Sequence, residues 1–270
     1  MGKSTRSAEI RSRRTALVTG ASRGIGYELT KLFARDGYDV VLVARSHDRL
    51  QQIGTELEES HDITATVISQ DLSVPEAAEE LYDATTAQGI RVDTLVNNAG
   101  IATYGRFYET EWERYRESLQ LNLVTVTELS WRFARPMCER GTGQILNVSS
   151  VSGLYPTPKA AVYAAAKSYL ISFSVALANE LAEDGVTVSV LCPRETDTAI
   201  LEKGGIQHSA LPENDLLDPE TVAQSGYTGL QQGDTIVVPG GIREKLLYHL
   251  PRVLPKSMVA STARDHWETE

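Results

Sequence analysis

The stretch Thr19-Gly20-Ala21-Ser22-Arg23-Gly24-Ile25-Gly26 decides how this chain folds. A β-branched run, residues 15–19, leads into it, and apolar residues at helical spacing follow it as far as Phe33. Glycines at such a strand-to-helix turn let backbone N–H groups approach a phosphate at the positive end of the helix. An ordinary βα turn is the alternative. Because strand, glycine turn and helix start occur together, the stretch predicts nucleotide binding.

The remainder of the chain repeats this strand-then-helix pattern. Short β-branched runs alternate with longer segments of helical period, which predicts an α/β fold, a doubly wound parallel sheet of Rossmann type with about seven strands and helices on both faces. The predicted strands are residues 15–19, 39–44, 64–69, 92–97, 144–149, 186–192 and 235–239. The predicted helices are residues 24–35, 47–60, 75–88, 109–139 and 160–184.

The domain organisation follows from what interrupts this pattern. No Pro/Gly/Ser-rich linker and no repeat divides the chain, so residues 15–270 are predicted to form one catalytic domain. The basic residues 1–14 are expected to be a disordered tail. Glycines and prolines break up residues 194–234, a variable segment expected to cover the substrate, with helical parts near 197–203 and 218–231.

Composition excludes several classes of protein. With 270 residues, 41% of them hydrophobic and 23% charged, the chain is typical of a globular protein. Its formal net charge of -10 weighs against nucleic acid as a partner. No apolar run approaches the roughly 20 residues of a membrane span, and no secretory signal is evident, so we expect a soluble cytoplasmic protein. Cys138 and Cys192 are interpreted as buried thiols, and no metal site is predicted.

The charges around the glycine turn indicate which dinucleotide is bound. An NAD site needs a carboxylate at the end of the second strand for the ribose 2′-OH, whereas a 2′-phosphate needs cations. Here that strand ends in Val43-Ala44-Arg45-Ser46, which contains no carboxylate, and Arg23 lies in the glycine turn. Two guanidinium groups can hold one phosphate through charge-assisted hydrogen bonds. The predicted cofactor is therefore NADP(H).

A second motif, Tyr163-Ala164-Ala165-Ala166-Lys167, places a phenol and an ammonium on one face of a helix. Lowering a tyrosine pKa from about 10 to about 7 requires roughly 4 kcal/mol. One positive charge at about 4 Å supplies roughly that amount at an effective dielectric constant near 20. The alternative is a pair on the helix surface. The spacing predicts a general acid and base tuned by its neighbouring lysine.

Together, Thr-Gly-x-x-x-Gly-x-Gly and Tyr-x-x-x-Lys resemble the single-domain branch of the short-chain dehydrogenases/reductases, over about residues 13–200. The resemblance implies hydride transfer between NADP(H) and a small carbonyl or alcohol substrate. Tyr163 would donate the proton, Lys167 would bind the nicotinamide ribose, and Ser150, 13 residues before Tyr163, would bind the carbonyl oxygen. Asn122 would order a water in a proton relay. Ser149 and Ser152 compete with Ser150 for its role, but the register favours Ser150.

The resemblance also implies which residues bind the cofactor and the substrate. Asp71 would accept from the adenine amino group, and Asn98-Ala99-Gly100 would line the ribose. The full predicted cofactor set is Gly20, Ser22, Arg23, Gly24, Ile25, Gly26, Arg45, Asp71, Leu72, Asn98, Ala99, Gly100, Tyr163, Lys167, Pro193, Thr196 and Thr198. The residues expected to line the substrate pocket are Tyr104, Ser152, Leu154 and Tyr155.

The sequence departs from the family pattern in two places. After Pro193 the family has glycine and this chain has Arg194, which could crowd the nicotinamide, pair with Glu195 or Asp197, or reach an anionic substrate. The C-terminus lacks the Asp-Gly-Gly ending of acyl-carrier-protein reductases and instead predicts a helix over residues 242–250.

Three further expectations concern function and assembly. Within enzymes, the alternative is reduction of a 3-oxoacyl thioester, which the C-terminal departure disfavours. An alternative of another class is a cofactor-binding regulator that has lost turnover, which the complete Ser-Tyr-Lys set opposes. The helix over residues 160–184 is apolar on more than one face, so we expect a homodimer or homotetramer.

Overall fold

The computed structural model describes residues 13–194, 196 and 216–240. These residues form one parallel sheet of seven strands in the order β3-β2-β1-β4-β5-β6-β7, which confirms the predicted fold class. The strands are β1 Thr15–Thr19, β2 Asp39–Ala44, β3 Ala65–Ser69, β4 Thr94–Asn97, β5 Gly143–Val148, β6 Val186–Leu191 and β7 Ile236–Val237.

Helices cover both faces of this sheet. They are α1 Gly24–Arg35, α2 His47–Ser60, α3 Ala77–Ala87, α4 Trp112–Leu119, α5 Val126–Glu139, α6 Ala161–Leu181 and α7 Pro219–Gln232. Side chains alternate along each strand, so Ala16 and Val18 of β1 pack beneath α1, α2 and α7. Leu17 of the same strand packs on the opposite face, beneath α3, α5 and α6. The central strands are consequently buried on both sides.

The sheet reverses its strand order between β1 and β4, and a single side chain joins the two strand ends there. The Thr19 hydroxyl donates to the Val96 carbonyl at 3.1 Å. The same oxygen accepts from the backbone N–H groups of Asn98 at 2.9 Å and Ala99 at 3.0 Å. In open parallel sheets, ligands bind outside the strand ends at such a reversal. Thr19 therefore shapes the floor of a ligand site.

The helix predicted over residues 109–139 is present as a helical run from Trp112 to Glu139, which contains a π-helical turn that was not predicted. Residues 112–119 form α4, residues Gln120–Thr125 form a π-helical turn, and α5 follows directly. Such a turn widens the helix by one residue and is frequent at functional sites. Here it contains Asn122, whose amide is thereby turned towards the backbone of Ile101. Hydrophobic periodicity does not reveal this interruption, because the flanking helices continue its pattern.

Some element boundaries differ from those predicted. The strand predicted over residues 235–239 is present only at Ile236–Val237, as β7. Pro239 cannot extend the pairing as a donor because it has no backbone N–H. The helix predicted near 218–231 is present as α7, begun by the Asp218 side chain, which accepts from Thr221 N. Arg14, predicted as part of the tail, accepts from Asp39 N at 2.9 Å and so borders the sheet. The helices predicted over 197–203 and 242–250 lie outside the described residues.

Helix α6 is the one described helix that is long and apolar enough to cross a membrane, with a mean hydropathy of 1.4 over its most apolar window. It packs on the sheet beside β6, its buried face carries Lys167 and Ser174, and 33% of its apolar window is buried. Its other side and α5 leave Trp131 and Tyr169 exposed, and Tyr169 hydrogen-bonds Thr127 of α5 at 2.9 Å. The two helices thus present an aromatic outer surface.

Candidate active site

A cleft of about 330 Å³ opens at the carboxyl ends of the strands. The structure brings most of the residues predicted from sequence together along its walls. These are Gly20, Ser22, Arg23, Gly24, Ile25, Arg45, Asp71, Leu72, Asn98, Ala99, Gly100, Tyr104, Ser150, Ser152, Tyr163, Lys167, Pro193 and Thr196. Residues from six strand ends and from α6 therefore face a single space.

The glycine turn forms one end of the cleft and is closely packed from behind. Gly20 has a φ of +69°, and a Cβ there would lie 3.1 Å from the Ala99 backbone. Gly26 does not line the cleft, but a Cβ on it would collide with the Gly20 carbonyl and the Asn98 amide. That amide donates to the Thr19 carbonyl at 2.9 Å. Only glycines permit this approach, and it leaves backbone at the start of α1 bordering the cleft.

Two arginines and one aspartate border the same end of the cleft. Arg45 approaches Asp71, with 3.7 Å between Nη1 and Oδ2, and Arg23 precedes the first residue of α1. Asp71 also accepts from the Ser73 hydroxyl at 2.6 Å and from its N–H at 2.9 Å. Desolvation acts to raise the pKa of Asp71, but the Ser73 hydrogen bonds and Arg45 outweigh it and lower the pKa. A charged carboxylate therefore stays beside Arg45 and orients it.

At the other end of the cleft, neighbouring serines differ in their availability. Ser149 is buried, and its hydroxyl donates to the Lys167 carbonyl at 2.8 Å, which ties β5 to α6. Ser150 is half-buried, and its Oγ accepts from Ser152 N at 3.1 Å, so its hydroxyl hydrogen is not used in that bond. These contacts favour Ser150 over Ser149 as the residue that can donate to a ligand.

Lys167 is a buried lysine at the centre of this end of the cleft. Only 3% of it is exposed, and its Nζ donates to the Val148 carbonyl at 2.8 Å. Nζ also lies 5.7 Å from the centre of the Tyr163 ring, four residues earlier on α6. Burial lowers the pKa of Lys167 to about 8 because desolvation disfavours its charged form. The predicted pair is thus assembled with its ammonium out of water.

Asn122 does not line the cleft but supports its wall. Its Nδ2 donates to the Ile101 carbonyl at 2.8 Å and to the Ser118 hydroxyl at 3.0 Å. A Cβ placed on Gly100 would lie 3.0 Å from Asn122 Oδ1 and 3.5 Å from Lys167 Nζ. Asn122 therefore holds in place the backbone at Gly100 and Ile101, which lies between the Asn122 side chain and the buried ammonium of Lys167.

Three other predicted residues are not found along the cleft. Leu154 packs instead against Ile171, Val190 and Cys192, because the chain turns away through a short 3₁₀ helix at Val151–Gly153. Tyr155 is also absent from the described lining. Thr198 lies outside the described residues.

A buried polar network connects the central strands to the site helices, and sequence reasoning predicted only the part of it at Asn97. Asn97 and Asn147 are register partners on β4 and β5, and the Asn97 amide donates to Asn147 Oδ1 at 2.9 Å. Asn97 also donates to Ser130 of α5, while Asn147 donates to Ser174 of α6 at 2.9 Å. Two asparagines inside otherwise apolar strands were the available signal, since a buried amide requires partners.

Comparison with known proteins places this cleft in a family. The family description "short chain dehydrogenase" matches residues 14–207, and the chain belongs to that family. A 7beta-hydroxysteroid dehydrogenase of Mediterraneibacter gnavus is 27% identical over 236 residues, which cover 86% of this chain and 88% of that protein. A 3-oxoacyl acyl-carrier-protein reductase of Vibrio cholerae is 34% identical over 240 residues, covering 85% and 97% respectively.

Solved structures agree with this assignment. A short-chain dehydrogenase from Sphingobium yanoikuyae in complex with NADPH has a TM-score of 0.81 at 29% identity, with 88% of this chain and 93% of that one covered. A bulky-bulky ketone specific alcohol dehydrogenase from Comamonas testosteroni has a TM-score of 0.77 at 27% identity, with 95% and 94% covered. The protein is an oxidoreductase of the class that uses a nicotinamide cofactor and acts on carbonyl compounds or alcohols.

The buried lysine predicts a specific pH dependence of stability. Between pH 8 and 10.5 Lys167 is protonated in the unfolded chain but neutral in the folded one, so its contribution to stability rises with pH. Between pH 7 and 9.5, the free energy of unfolding of the cofactor-free protein should increase by about 2 kcal/mol more than that of Lys167→Met. Urea titrations at both pH values measure this difference. Parallel changes in the two proteins would show that the buried ammonium carries no such penalty.

Proposed function

We propose that this protein interconverts a ketone or aldehyde and an alcohol with NADP(H), using Tyr163 as general acid and base. The observation that carries the proposal is one shared cleft. Ser150, Tyr163 and Lys167 line one end of it, and a glycine turn at a helix start forms the other. A reacting carbonyl and a dinucleotide need these two environments side by side.

The residues at the glycine turn fit a dinucleotide. Close packing at Gly20 and Gly26 leaves backbone N–H groups at the positive end of α1, where a pyrophosphate is stabilised. Arg23 and Arg45 lie at the same end, and the end of β2 carries no carboxylate. A 2′-phosphate supplies the negative charge that two guanidinium groups require. NADP(H) therefore fits this donor set better than NAD(H).

The proposed chemistry assigns one task to each side chain. When bound at the glycine turn, NADPH would be the source of the hydride that reduces the carbonyl carbon. The Ser150 hydroxyl donates a hydrogen bond to the carbonyl oxygen, and the Tyr163 hydroxyl donates its proton to that oxygen as negative charge develops. In the reverse direction the Tyr163 phenolate accepts the proton of the alcohol.

Lys167 supports the proton transfer in two ways. Its ammonium has three donor hydrogens, and the bond to Val148 uses one, so donors remain for the nicotinamide ribose. When charged, it favours the phenolate form of Tyr163 on the same helix face. Asn122 would complete the relay. Its role there would be to order a water, and the hydrogen bonds of its amide to Ile101 and Ser118 hold Asn122 in place beside Lys167.

Reduction of a 3-oxoacyl thioester is a second candidate. It is favoured by the Vibrio cholerae relative, a 3-oxoacyl acyl-carrier-protein reductase that the chain matches over 97% of its length. The different C-terminal sequence disfavours it. A regulator without turnover is opposed by the complete set of Ser150, Tyr163 and Lys167 in the cleft. Oxidation of NADPH in the presence of ketones, aldehydes and 3-oxoacyl thioesters separates the three possibilities.

We also propose a cytoplasmic homodimer or homotetramer. Cys138 and Cys192 are both free thiols, which agrees with a reducing compartment. The aromatic surface of α5 and α6, with Trp131 and Tyr169 exposed, offers a contact area for a second copy.

Tyr163→Phe tests the assignment of the proton donor. Removal of the phenol hydroxyl should reduce kcat for ketone reduction by roughly 100-fold or more, because general acid catalysis contributes about that much to the rate. The Kd for NADPH should change by less than about 3-fold. Tyr169→Phe is the matched control on the outer face of the same helix. Undiminished kcat in Tyr163→Phe would eliminate Tyr163 as the acid.

Arg45→Gln tests the choice of cofactor. Loss of a charge-assisted hydrogen bond to the 2′-phosphate should weaken NADPH binding by roughly 10- to 100-fold and leave NADH binding nearly unchanged. Fluorescence titration with both nucleotides measures the two Kd values. Arg35→Gln, at the far end of α1, is the control. Equal losses for NADPH and NADH would contradict a role in phosphate recognition.

A further inference from the structure

We infer that Arg194 is a specificity-determining residue that binds an anionic group, a carboxylate, on the carbonyl substrate. This inference rests on the proposed function and extends it to a substrate class of keto acids and the corresponding hydroxy acids. The family pattern that the sequence resembles has glycine after Pro193, whereas this chain has Arg194.

The backbone places Arg194 beside the reacting end of the cleft. The carbonyl of the preceding residue, Pro193, accepts from Val151 N at 2.9 Å, and Val151 directly follows Ser150. The Arg194 carbonyl accepts from the Thr196 hydroxyl at 2.9 Å, which fixes the chain on the other side. Arg194 is half-buried and lines the same cleft as Ser150 and Tyr163. Arg194 is therefore carried on a fixed backbone next to Ser150, at the end of the cleft where proton transfer is proposed.

The charges around this end of the cleft favour an anion. Asp71 is the one carboxylate among the described lining residues, and it lies at the glycine-turn end of the cleft. There it lies beside Arg45 and accepts a hydrogen bond from Ser73. A second cation lies behind the substrate end, because Lys159 Nζ is 6.0 Å from the ring centre of Tyr104, a lining residue. Cations near one part of a cleft attract ligands of the opposite sign.

The chemistry of the guanidinium selects the type of anion. Arginine presents a planar fork of N–H donors that matches the two oxygens of a carboxylate. A half-buried fork also loses part of its hydration, so its bond to an anion is stronger than at the protein surface. The neutral lining residues Ser152 and Thr157 add hydroxyl groups but no competing charge. A carboxylate at a distance from the reacting carbonyl matches the geometry of this fork and the donors of these hydroxyl groups.

The test compares keto acids with their methyl esters, so that only the charge differs within each pair. A series with different spacings between carbonyl and carboxylate is reduced with NADPH, and the ratio of kcat/KM for acid over ester is measured. The wild type should favour the acid at its best spacing. Arg194→Gln should lower that ratio by roughly 10- to 100-fold, and Arg194→Lys should retain part of the preference. Ratios within one variant cancel changes in overall activity.

Controls separate this proposal from its competitors. Arg91→Gln removes a cation at the opposite, amino-terminal edge of β4 and should leave the ratio unchanged. An unchanged ratio in Arg194→Gln would overturn the proposal. So would a loss of NADPH affinity greater than about 10-fold in that variant, because Arg194 would then act on the cofactor.

A binding measurement makes the outcome independent of turnover. Calorimetric titration of each acid and ester into the protein saturated with NADP⁺ should show acid binding that Arg194→Gln weakens and ester binding that it affects less. If no compound is reduced but this difference is found, the proposed reaction fails and the anion site stands. If the compounds are reduced with no difference in binding or ratio, the reaction stands and the anion site fails.

Discussion

The hydrogen bond from the buried Lys167 ammonium to the Val148 carbonyl is the contact on which the rest of the site depends. It joins α6 to the end of β5, and Ser149 joins the same two elements from the other direction through the Lys167 carbonyl. Gly153 allows this proximity, since a Cβ there would lie 2.6 Å from the Lys167 backbone. With α6 fixed in this way, Tyr163 and Ser150 share one end of the cleft. The cost is a desolvated ammonium, which a fold without this function would have little reason to keep.

Much of the fold and site could be predicted from sequence because short-range chemistry determines them. Gly20 and Gly26 occupy positions where any Cβ would collide with neighbouring atoms. The turn therefore requires glycine at both positions, and this requirement makes it recognisable as a sequence motif. Tyr163 and Lys167 are four residues apart on one helix, and local geometry alone brings them to one face. β1 and β2 formed with the predicted bounds because their buried runs are nearly continuous. The same reasoning identified Arg23 and Arg45 as a local basic site in an acidic chain.

What could not be predicted depends on contacts between segments distant in sequence. Asn122 lies in the π-helical turn, and its amide donates to Ile101, 21 residues earlier, a contact that a hydrophobic pattern does not indicate. Leu154 follows a 3₁₀ turn towards Ile171, so a residue expected at the cleft became part of a core cluster. The pairing of Asn97 with Asn147 depends on strand register across 50 residues. Tertiary contacts override local preference at each of these positions.

The central claim, that this cleft transfers hydride from NADPH to a carbonyl carbon, is tested most directly by following the hydrogen itself. NADPH deuterated at both hydrogens of the reactive nicotinamide carbon is incubated with the protein and a ketone, and the alcohol is analysed by mass spectrometry and NMR. The account predicts one deuterium on the carbinol carbon and none on the hydroxyl oxygen after exchange with water. An alcohol without deuterium on that carbon would contradict it, and so would the absence of any alcohol across the ketones, aldehydes and thioesters named above.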